Sequence, residues 1–100
     1  MLLFMKNTLL VLLLAVLVIG CKKNSTAAFT IDSYTYTVKD EVKFTNLSTN
    51  AKSYRWDFGD GSRSTEESPT HNYPHPGIYR VTLVADGSSE MSKDLQVTAE

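Results

Sequence analysis

Alternation of apolar and polar residues is the feature that most limits what this chain can fold into. Four runs show it, each with every second residue apolar: 41–45, 53–58, 79–83 and 95–98. A period of two is typical of half-buried β-strands, because successive side chains point to opposite faces of a sheet. We find no amphipathic helix after residue 27 and no internal repeat, so the pattern predicts an all-β domain.

Another alternating stretch, at residues 29–38, precedes these four runs and changes phase part-way along. Phe29 and Ile31 begin it, and Tyr34, Tyr36 and Val38 continue it in the opposite phase. A one-residue shift would send side chains to the other face, so we expect a bulge or a break near residues 32–33.

Turn-forming residues separate the predicted strands, at 39–40, 48–50, 59–62, 74–77 and 86–89. Pro76-Gly77 predicts a type II turn, with glycine at the position of positive φ. Residues 62–72 are expected to form a long loop with at most one short edge strand. Short strands with regular turns, in a chain of this length, favour a small antiparallel sandwich.

The first 20 residues are interpreted as a targeting segment. Lys6 supplies a positive charge, Leu9 to Ile19 is uninterrupted and apolar, and the small residue Gly20 follows. A short apolar run ending in a small residue is typical of a secretory signal, and it falls short of the about 20 apolar residues of a membrane span. An uncleaved N-terminal anchor helix is the alternative.

Val18-Ile19-Gly20-Cys21 resembles the bacterial lipobox. In that family the cysteine thiol receives a diacylglyceryl group, the signal is cut before the cysteine, and the new amino group is acylated. Two or three acyl chains give stable attachment, whereas one chain does not. The resemblance implies lipidation at Cys21, the only cysteine, and hence the membrane as a partner. Lys22, where inner-membrane lipoproteins often carry aspartate, favours outer-membrane delivery if the organism has an outer membrane.

These features divide the chain into a signal peptide at 1–20, a polar tether at 21–27 and a folded domain at 28–100. Past the tether there are 7 Lys and Arg against 11 Asp and Glu, a balance of −4. A chain without a basic patch is not expected to bind nucleic acid.

The stretch Trp56-Asp57-Phe58-Gly59-Asp60-Gly61-Ser62 is open to several chemical interpretations. It fails as an EF-hand calcium loop, because glycines stand at the third and fifth positions from Asp57. Its DFG lacks the other kinase motifs. Asp57 and Asp60 as an acid–base pair would need a cleft that nothing nearby indicates.

A structural interpretation explains more of these residues. Trp56 shares a face with its aromatic neighbours and would anchor two sheets, since such a side chain buries about 150–250 Å². Gly59 and Gly61 permit a tight reversal, and Asp57 and Asp60 can accept backbone N–H bonds within it.

Three motifs together resemble the PKD (polycystic kidney disease) domain: WDFGDG at 56–61, H-x-Y at 71–73 and PGxYxVxL at 76–83. The resemblance covers nearly all of 28–100 and implies an Ig-like antiparallel β-sandwich of about seven strands. It implies core roles for Trp56 and Phe58, a turn at Gly59 to Ser62, and structural roles for Tyr73, Pro76, Gly77 and Tyr79. Some relatives in secreted proteases bind calcium, but matching ligands cannot be assigned here, although Asp32, Asp40 and Asp57 are conceivable.

The remaining candidates point away from catalysis. His71 and His75 lack cysteine partners, so zinc is not expected, and we expect His71 to be hydrogen-bonded to backbone. No cofactor or metal and no catalytic residue is predicted. Tyr34, Tyr36 and Tyr73 are possible ligand contacts, which would stack on sugar rings if they were exposed together. We favour the interpretation in which they cover the interior or the edges of the sheets.

The sequence therefore predicts a lipid-anchored protein of the bacterial cell envelope that displays one non-catalytic PKD-like module for an unknown protein or glycan partner. Two alternatives remain: a glycan-binding accessory lipoprotein of a polysaccharide-uptake system, or a piece of a larger surface protein.

Overall fold

A computed structural model describes residues 24–100, and this part of the chain is an all-β sandwich. Its eight strands are β1 (Phe29–Ile31), β2 (Thr35–Thr37), β3 (Glu41–Asn46), β4 (Tyr54–Asp57), β5 (Arg63–Ser64), β6 (Thr70–Asn72), β7 (Gly77–Ala85) and β8 (Ser89–Thr98). Each of the four alternating runs lies in, or overlaps, one of these strands. The signal peptide and Cys21 lie outside the described residues.

The strands form two sheets. One has three strands in the order β1-β3-β6, and the other has five in the order β2-β8-β7-β4-β5. All pairs are antiparallel except β2 with β8, which run parallel with Tyr36 opposite Val97. The predicted sandwich is confirmed, with eight strands rather than about seven and one parallel pair.

The phase change near residues 32–33 marks a switch between sheets. β1 pairs with β3 in the three-stranded sheet, whereas β2 pairs with β8 in the five-stranded sheet. Phe29 and Tyr36 are both buried, because moving to the opposite sheet reverses which side chains face inward. The break predicted from the sequence is therefore confirmed, and it closes one side of the sandwich.

Trp56 lies between the two sheets, with no exposed surface. Its ring centroid is 5.0 Å from that of Phe29 and 5.4 Å from that of Phe44, both on the opposite sheet. Its indole N–H donates to the Glu66 carbonyl at 2.9 Å. The largest apolar side chain thus fills the interior while its one polar atom is hydrogen-bonded, as buried tryptophan requires.

The segment 62–72 contains two short strands, where a long loop with at most one short edge strand was expected. β5 pairs with β4 and β6 pairs with β3, so the segment crosses from one sheet to the other. Between them, the Ser68 hydroxyl accepts the Asn46 N–H, and the Asn46 amide donates to the Glu67 carbonyl. These bonds hold the crossing segment against β3 and close the second side of the sandwich.

The domain begins earlier than predicted. Residues 25–28, here called the N-terminal strap, lie against the sandwich: Thr26 forms a bridge with Thr49, and Ala27 is buried. The Ala27 N–H donates to the Ser89 hydroxyl at 2.9 Å. Ser25 to Ala27, which the sequence assigned to the tether, are therefore bound to the sandwich. Within residues 24–100 there is no helix of the length and apolarity needed to cross a membrane.

Replacing Trp56 with alanine is expected to destabilise the domain by about 3–5 kcal/mol, since the substitution leaves a large cavity between the sheets. Chemical denaturation followed by far-UV circular dichroism measures this loss without relying on indole fluorescence. Arg55→Ala, on the exposed side of the same strand, is the control and is expected to change stability by less than about 0.5 kcal/mol. An unchanged midpoint for Trp56→Ala would contradict the central packing role of the indole.

Candidate functional site

The turn after β4 is held by the two carboxylates of the WDFGDG motif. Asp57 Oδ1 accepts the Gly59 N–H at 2.9 Å, and Asp60 Oδ1 accepts the Ser62 N–H at 3.0 Å. The Phe58 N–H donates to the Ser62 carbonyl at 3.1 Å and closes the reversal between β4 and β5. The prediction that both aspartates bond turn backbone is confirmed.

The two glycines of this turn differ in their surroundings. Both have positive φ, +85° at Gly59 and +93° at Gly61. A Cβ at Gly59 would lie 2.6 Å from the Arg80 carbonyl oxygen on β7, whereas a Cβ at Gly61 would meet nothing within 4 Å. Gly59 is therefore required by close contact between backbones, and Gly61 by its dihedral alone.

The imidazole of His71 forms a hydrogen bond with a side chain, whereas the sequence led us to expect a hydrogen bond with the backbone. Its Nε2 lies 2.7 Å from Asp60 Oδ2, and the side chains of both residues are only 15–17% exposed. The imidazole stacks on the ring of Phe58, with 4.2 Å between centroids and 7° between planes. The pair joins the β4–β5 turn to β6, and so links the edges of the two sheets.

The environment keeps Asp60 ionised. Partial burial raises the pKa of Asp60, but hydrogen bonds from His71 and from the Ser62 N–H, with the charge of His71, outweigh burial and lower the pKa below its usual value. An ionised carboxylate accepts only, so the Nε2–H of His71 donates to it. Asp57 Oδ1 and both carboxylate oxygens of Asp60 are thus engaged in holding the turn and its contact with β6.

Tyr73 belongs to the same cluster and is buried. Its hydroxyl donates to the Phe58 carbonyl at 2.8 Å, and its ring stacks on Tyr79 with centroids 4.4 Å apart. Burial, then the charges of Asp60, Tyr79 and Asp57, raise the pKa of Tyr73 well above its usual range. Tyr73 is therefore a core residue with a satisfied hydroxyl and presents no surface to a ligand, in agreement with the interior position favoured from the sequence.

The remaining tyrosines do not form an exposed platform either. Tyr36 is buried, and its hydroxyl accepts the Ser33 N–H. Tyr34 is 57% exposed, and its ring lies 5.9 Å from the Lys93 ammonium. Of the Phe, Tyr and Trp side chains in residues 24–100 it is the only one that is mostly exposed, so three coplanar sugar-stacking rings are absent from this part of the chain.

The turn before β7 also differs from the sequence prediction. Gly77 does not have positive φ and is the first residue of β7, paired with Val97. A Cβ at Gly77 would lie 3.4 Å from the Tyr79 ring, whose hydroxyl donates to the His75 carbonyl at 2.6 Å. The glycine thus makes room for an aromatic ring folded back over the strand, and the predicted type II turn is wrong. Pro76 stands exposed directly before the strand.

Sequence reasoning missed a second hydrogen-bonded carboxylate, that of Asp86 in the turn between β7 and β8. Asp86 Oδ1 accepts the N–H groups of Lys52 and Ser53 at 2.8 and 3.0 Å, and its Oδ2 accepts the Ser25 hydroxyl at 2.5 Å. These bonds, that of the Ser25 hydroxyl first, lower the pKa of Asp86 to about 2. From the sequence, Asp86-Gly87 indicates only a turn, because the residues that hydrogen-bond to Asp86 are 33 to 61 positions away in the chain.

The outer face of the five-stranded sheet is polar and self-paired. Arg80 on β7 binds Asp94 on β8 through Nε and Nη2, at 2.9 and 3.3 Å, and the hydroxyls of Thr82 and Ser92 are 2.8 Å apart. Ile78 is 74% exposed on the same face. Alternation places these residues outward because their neighbours fill the core.

Within residues 24–100, no three His, Cys, Asp or Glu side chains lie together as metal ligands would.

The geometry agrees with what comparisons with known proteins show. The family model of the PKD domain matches residues 23–100. The chain belongs to the PKD domain family.

Relatives place the PKD domain within larger bacterial proteins. Collagenase ColA of Bacillus cereus is 40% identical over 67 residues, which cover 61% of this chain and 7% of that protein. The crystal structure of the PKD1 domain from the Vibrio cholerae metalloprotease PrtV is 30% identical, with a TM-score of 0.60, over 76% of this chain and 99% of that one. This chain thus matches a small fraction of the collagenase and almost the whole of the PrtV domain.

A third similarity concerns modules that bind carbohydrate. A solved structure that describes the promiscuous specificity of carbohydrate-binding modules from the β-sandwich superfamily has a TM-score of 0.66 and 26% identity, over 77% of this chain and 35% of that one.

The PKD domain itself is non-catalytic, in agreement with the engaged carboxylates of the WDFGDG turn.

Gly59→Ala is expected to destabilise this PKD domain far more than Gly61→Ala. Both substitutions put a side chain at positive φ, but only the first forces a methyl group against the backbone of β7. The dihedral alone costs roughly 1–2 kcal/mol, so the excess loss in Gly59→Ala measures the close approach. Thermal unfolding of the two variants side by side tests this. Equal losses of stability would show that β7 shifts to accommodate the methyl group at no cost.

The contribution of Asp60 to stability is expected to be present at neutral pH and lost in acid. Because its pKa is lowered on folding, ionised Asp60 stabilises the native state above the usual carboxyl pKa of about 4, and this stabilisation disappears as pH falls through the lowered value. The difference in unfolding free energy between wild type and Asp60→Asn should therefore shrink between pH 7 and pH 3. Glu90→Gln, an exposed carboxylate on β8, is the control. A difference that stays constant with pH would exclude this role.

Proposed function

We propose that this chain is a lipid-anchored protein of the bacterial cell envelope, and that its PKD domain binds protein partners without catalysis. Gly20 and the lone Cys21 after an apolar run support the anchor. The PKD family match begins at residue 23, two residues after the proposed lipidation site. PKD domains of collagenases and of a metalloprotease support an extracellular or envelope location.

The observation that carries the proposal is the position of Ser25 on the folded domain. Ser25 is bound to Asp86 and to the Asn50 carbonyl, four residues after Cys21. A folded module so close to a lipidated cysteine would be held at the surface with little slack, which suits display. Spacing alone is a limited role for one domain, so we favour an interaction role.

The surfaces of the domain favour a protein over a glycan as the partner. Glycan capture by stacking needs several exposed rings, but Tyr36 and Tyr73 are buried and Tyr34 stands alone. The outer face of the five-stranded sheet instead presents charged pairs, hydroxyls and the exposed Ile78, a mixture of polar and apolar groups common in protein interfaces. Glycan binding in a polysaccharide-uptake system, suggested by the carbohydrate-binding neighbour, is the alternative, and membership of a larger surface protein is also compatible with the match to a small part of ColA.

Cells expressing this protein should incorporate an alkyne fatty acid into the wild type and not into Cys21→Ala. The thiol at residue 21 is the only one in the chain, so the substitution removes every site for thioether-linked lipid. In-gel fluorescence after click labelling gives the result, and fractionation should place only the wild type in the membrane. Label retained in Cys21→Ala would refute the anchor.

The partner is tested in the same cells with a photo-crosslinking amino acid at Ile78 on the outer face. A discrete crosslinked protein is expected there, and the same probe at Leu47, which is also exposed but lies just after β3 in the other sheet, serves as the control. Binding of the purified domain to a glycan array, with no protein crosslink at Ile78, would favour the glycan alternative and reject the protein-binding proposal.

A further inference from the structure

The described residues give the sandwich two distinct ends. The end called here the anchor pole consists of Asn50, Lys52, Asp86, Gly87 and Ser88, where the β3–β4 connection meets the β7–β8 hairpin. The end called the far pole consists of Lys39, His75, Pro76 and Glu100. β7 runs from Gly77 beside the far pole to Ala85 beside the anchor pole. Its nine residues, at about 3.3 Å each, separate the poles by roughly 26–30 Å.

The N-terminal strap leaves the sandwich at the anchor pole. The Ser25 hydroxyl donates to Asp86 and lies 3.0 Å from the Asn50 carbonyl oxygen. Thr26 and Thr49 exchange two backbone hydrogen bonds, each of 3.0 Å. Asp86 also accepts the N–H groups of Lys52 and Ser53. Several hydrogen bonds therefore hold the start of the N-terminal strap at one end of the domain.

The remaining length of chain limits how far this pole can lie from Cys21. Four residue steps separate Cys21 from Ser25, and a fully extended chain spans at most about 14 Å over that distance. This is about half the separation of the two poles. If Cys21 carries lipid in the headgroup layer, the far pole cannot contact the bilayer while the domain stands on its anchor pole.

We propose that the anchor pole is a membrane-contact surface that rests on the lipid headgroups, with β7 and β8 directed away from the bilayer. The inference rests on the lipid anchor proposed above and adds the orientation of the domain. The surface it assigns is polar, with the Lys52 ammonium, the Asn50 amide and the Ser88 hydroxyl exposed. The Asp86 carboxylate is engaged by four donor groups of the protein. Such a surface suits zwitterionic headgroups and does not require insertion into the acyl layer.

The orientation has a consequence for partners. The far pole and the upper part of the outer sheet face, including Ile78 opposite Gln96, stand clear of the bilayer. The residues of the WDFGDG turn lie level with Arg80, since Gly59 packs on its backbone. A partner in the surrounding compartment would therefore reach the far pole and this sheet face, while the turn between β7 and β8 faces the lipid headgroups.

The experiment uses the full lipidated protein in phosphatidylcholine vesicles and one added cysteine at a time. Because Cys21 is acylated, Ser88→Cys at the anchor pole and His75→Cys at the far pole each provide a single thiol for a fluorophore. Neither side chain makes a described hydrogen bond; only backbone atoms of the two residues do. The vesicles contain a lipid with a quencher on its headgroup. Fluorescence at Ser88→Cys should be largely lost, and fluorescence at His75→Cys should be unchanged.

Vesicle flotation separates this inference from the proposed function. Protein that does not float with the vesicles lacks the anchor, which rejects both. Protein that floats but shows equal quenching at the two positions lies on its side, and stronger quenching at His75→Cys means the opposite orientation; either result overturns the inference and leaves the anchor intact.

A lengthened tether provides the matched control. Inserting about 20 Gly and Ser residues between Lys23 and Asn24 gives a flexible chain with a mean reach of roughly 22–27 Å. The difference in quenching between Ser88→Cys and His75→Cys should then decline, because the short tether no longer sets the orientation. A difference that persists unchanged would show that the tether length does not determine it, and would overturn the argument.

Discussion

Burial of Trp56 between two sheets is the constraint on which the rest of the domain depends. The indole contacts Phe29 and Phe44 on the opposite sheet, so one ring fills the space between the two layers. Its N–H must be bonded, and the Glu66 carbonyl accepts it. The segment that crosses from β5 to β6 is therefore held over the side of the core by the same residue that fills it.

The conspicuous motif after this tryptophan is a device for ending a strand. Asp57 and Asp60 bond the backbone of the turn, His71 bonds Asp60, and Gly59 lets the turn lie against β7. Carboxylates engaged in this way lose the freedom that general acid or base catalysis needs. The carboxylates and the histidine that suggested chemistry in the sequence thus stabilise the fold. The surface available to partners is formed by residues outside the WDFGDG motif.

That surface is organised by the direction of the chain. The strap enters at the pole where Asp86 accepts hydrogen bonds from Ser25, Lys52 and Ser53, and Glu100 lies at the other pole, where its carboxylate pairs with Lys39. A module fixed in this way presents the same faces outward for as long as its N-terminal side is attached. If Cys21 is lipidated as proposed, the four residue steps between Cys21 and Ser25 make the orientation of the domain depend on its attachment.

The sequence determined the all-β class, the order of the main strands, the break near residue 32, the core position of Trp56 and the hydrogen bonds of Asp57 and Asp60, because these follow from a period of two and from local turn chemistry. It did not reveal that β8 begins at Ser89, since the inward Met91 and Lys93 make a weak apolar pattern. Only the tertiary structure decided that Tyr36 and Tyr73 are buried, that His71 meets Asp60, that Gly77 serves a ring, and that Ser25 meets Asp86. Those contacts join residues that are distant in sequence or placed by packing between sheets, and neither periodicity nor local propensity records which distant residues come together.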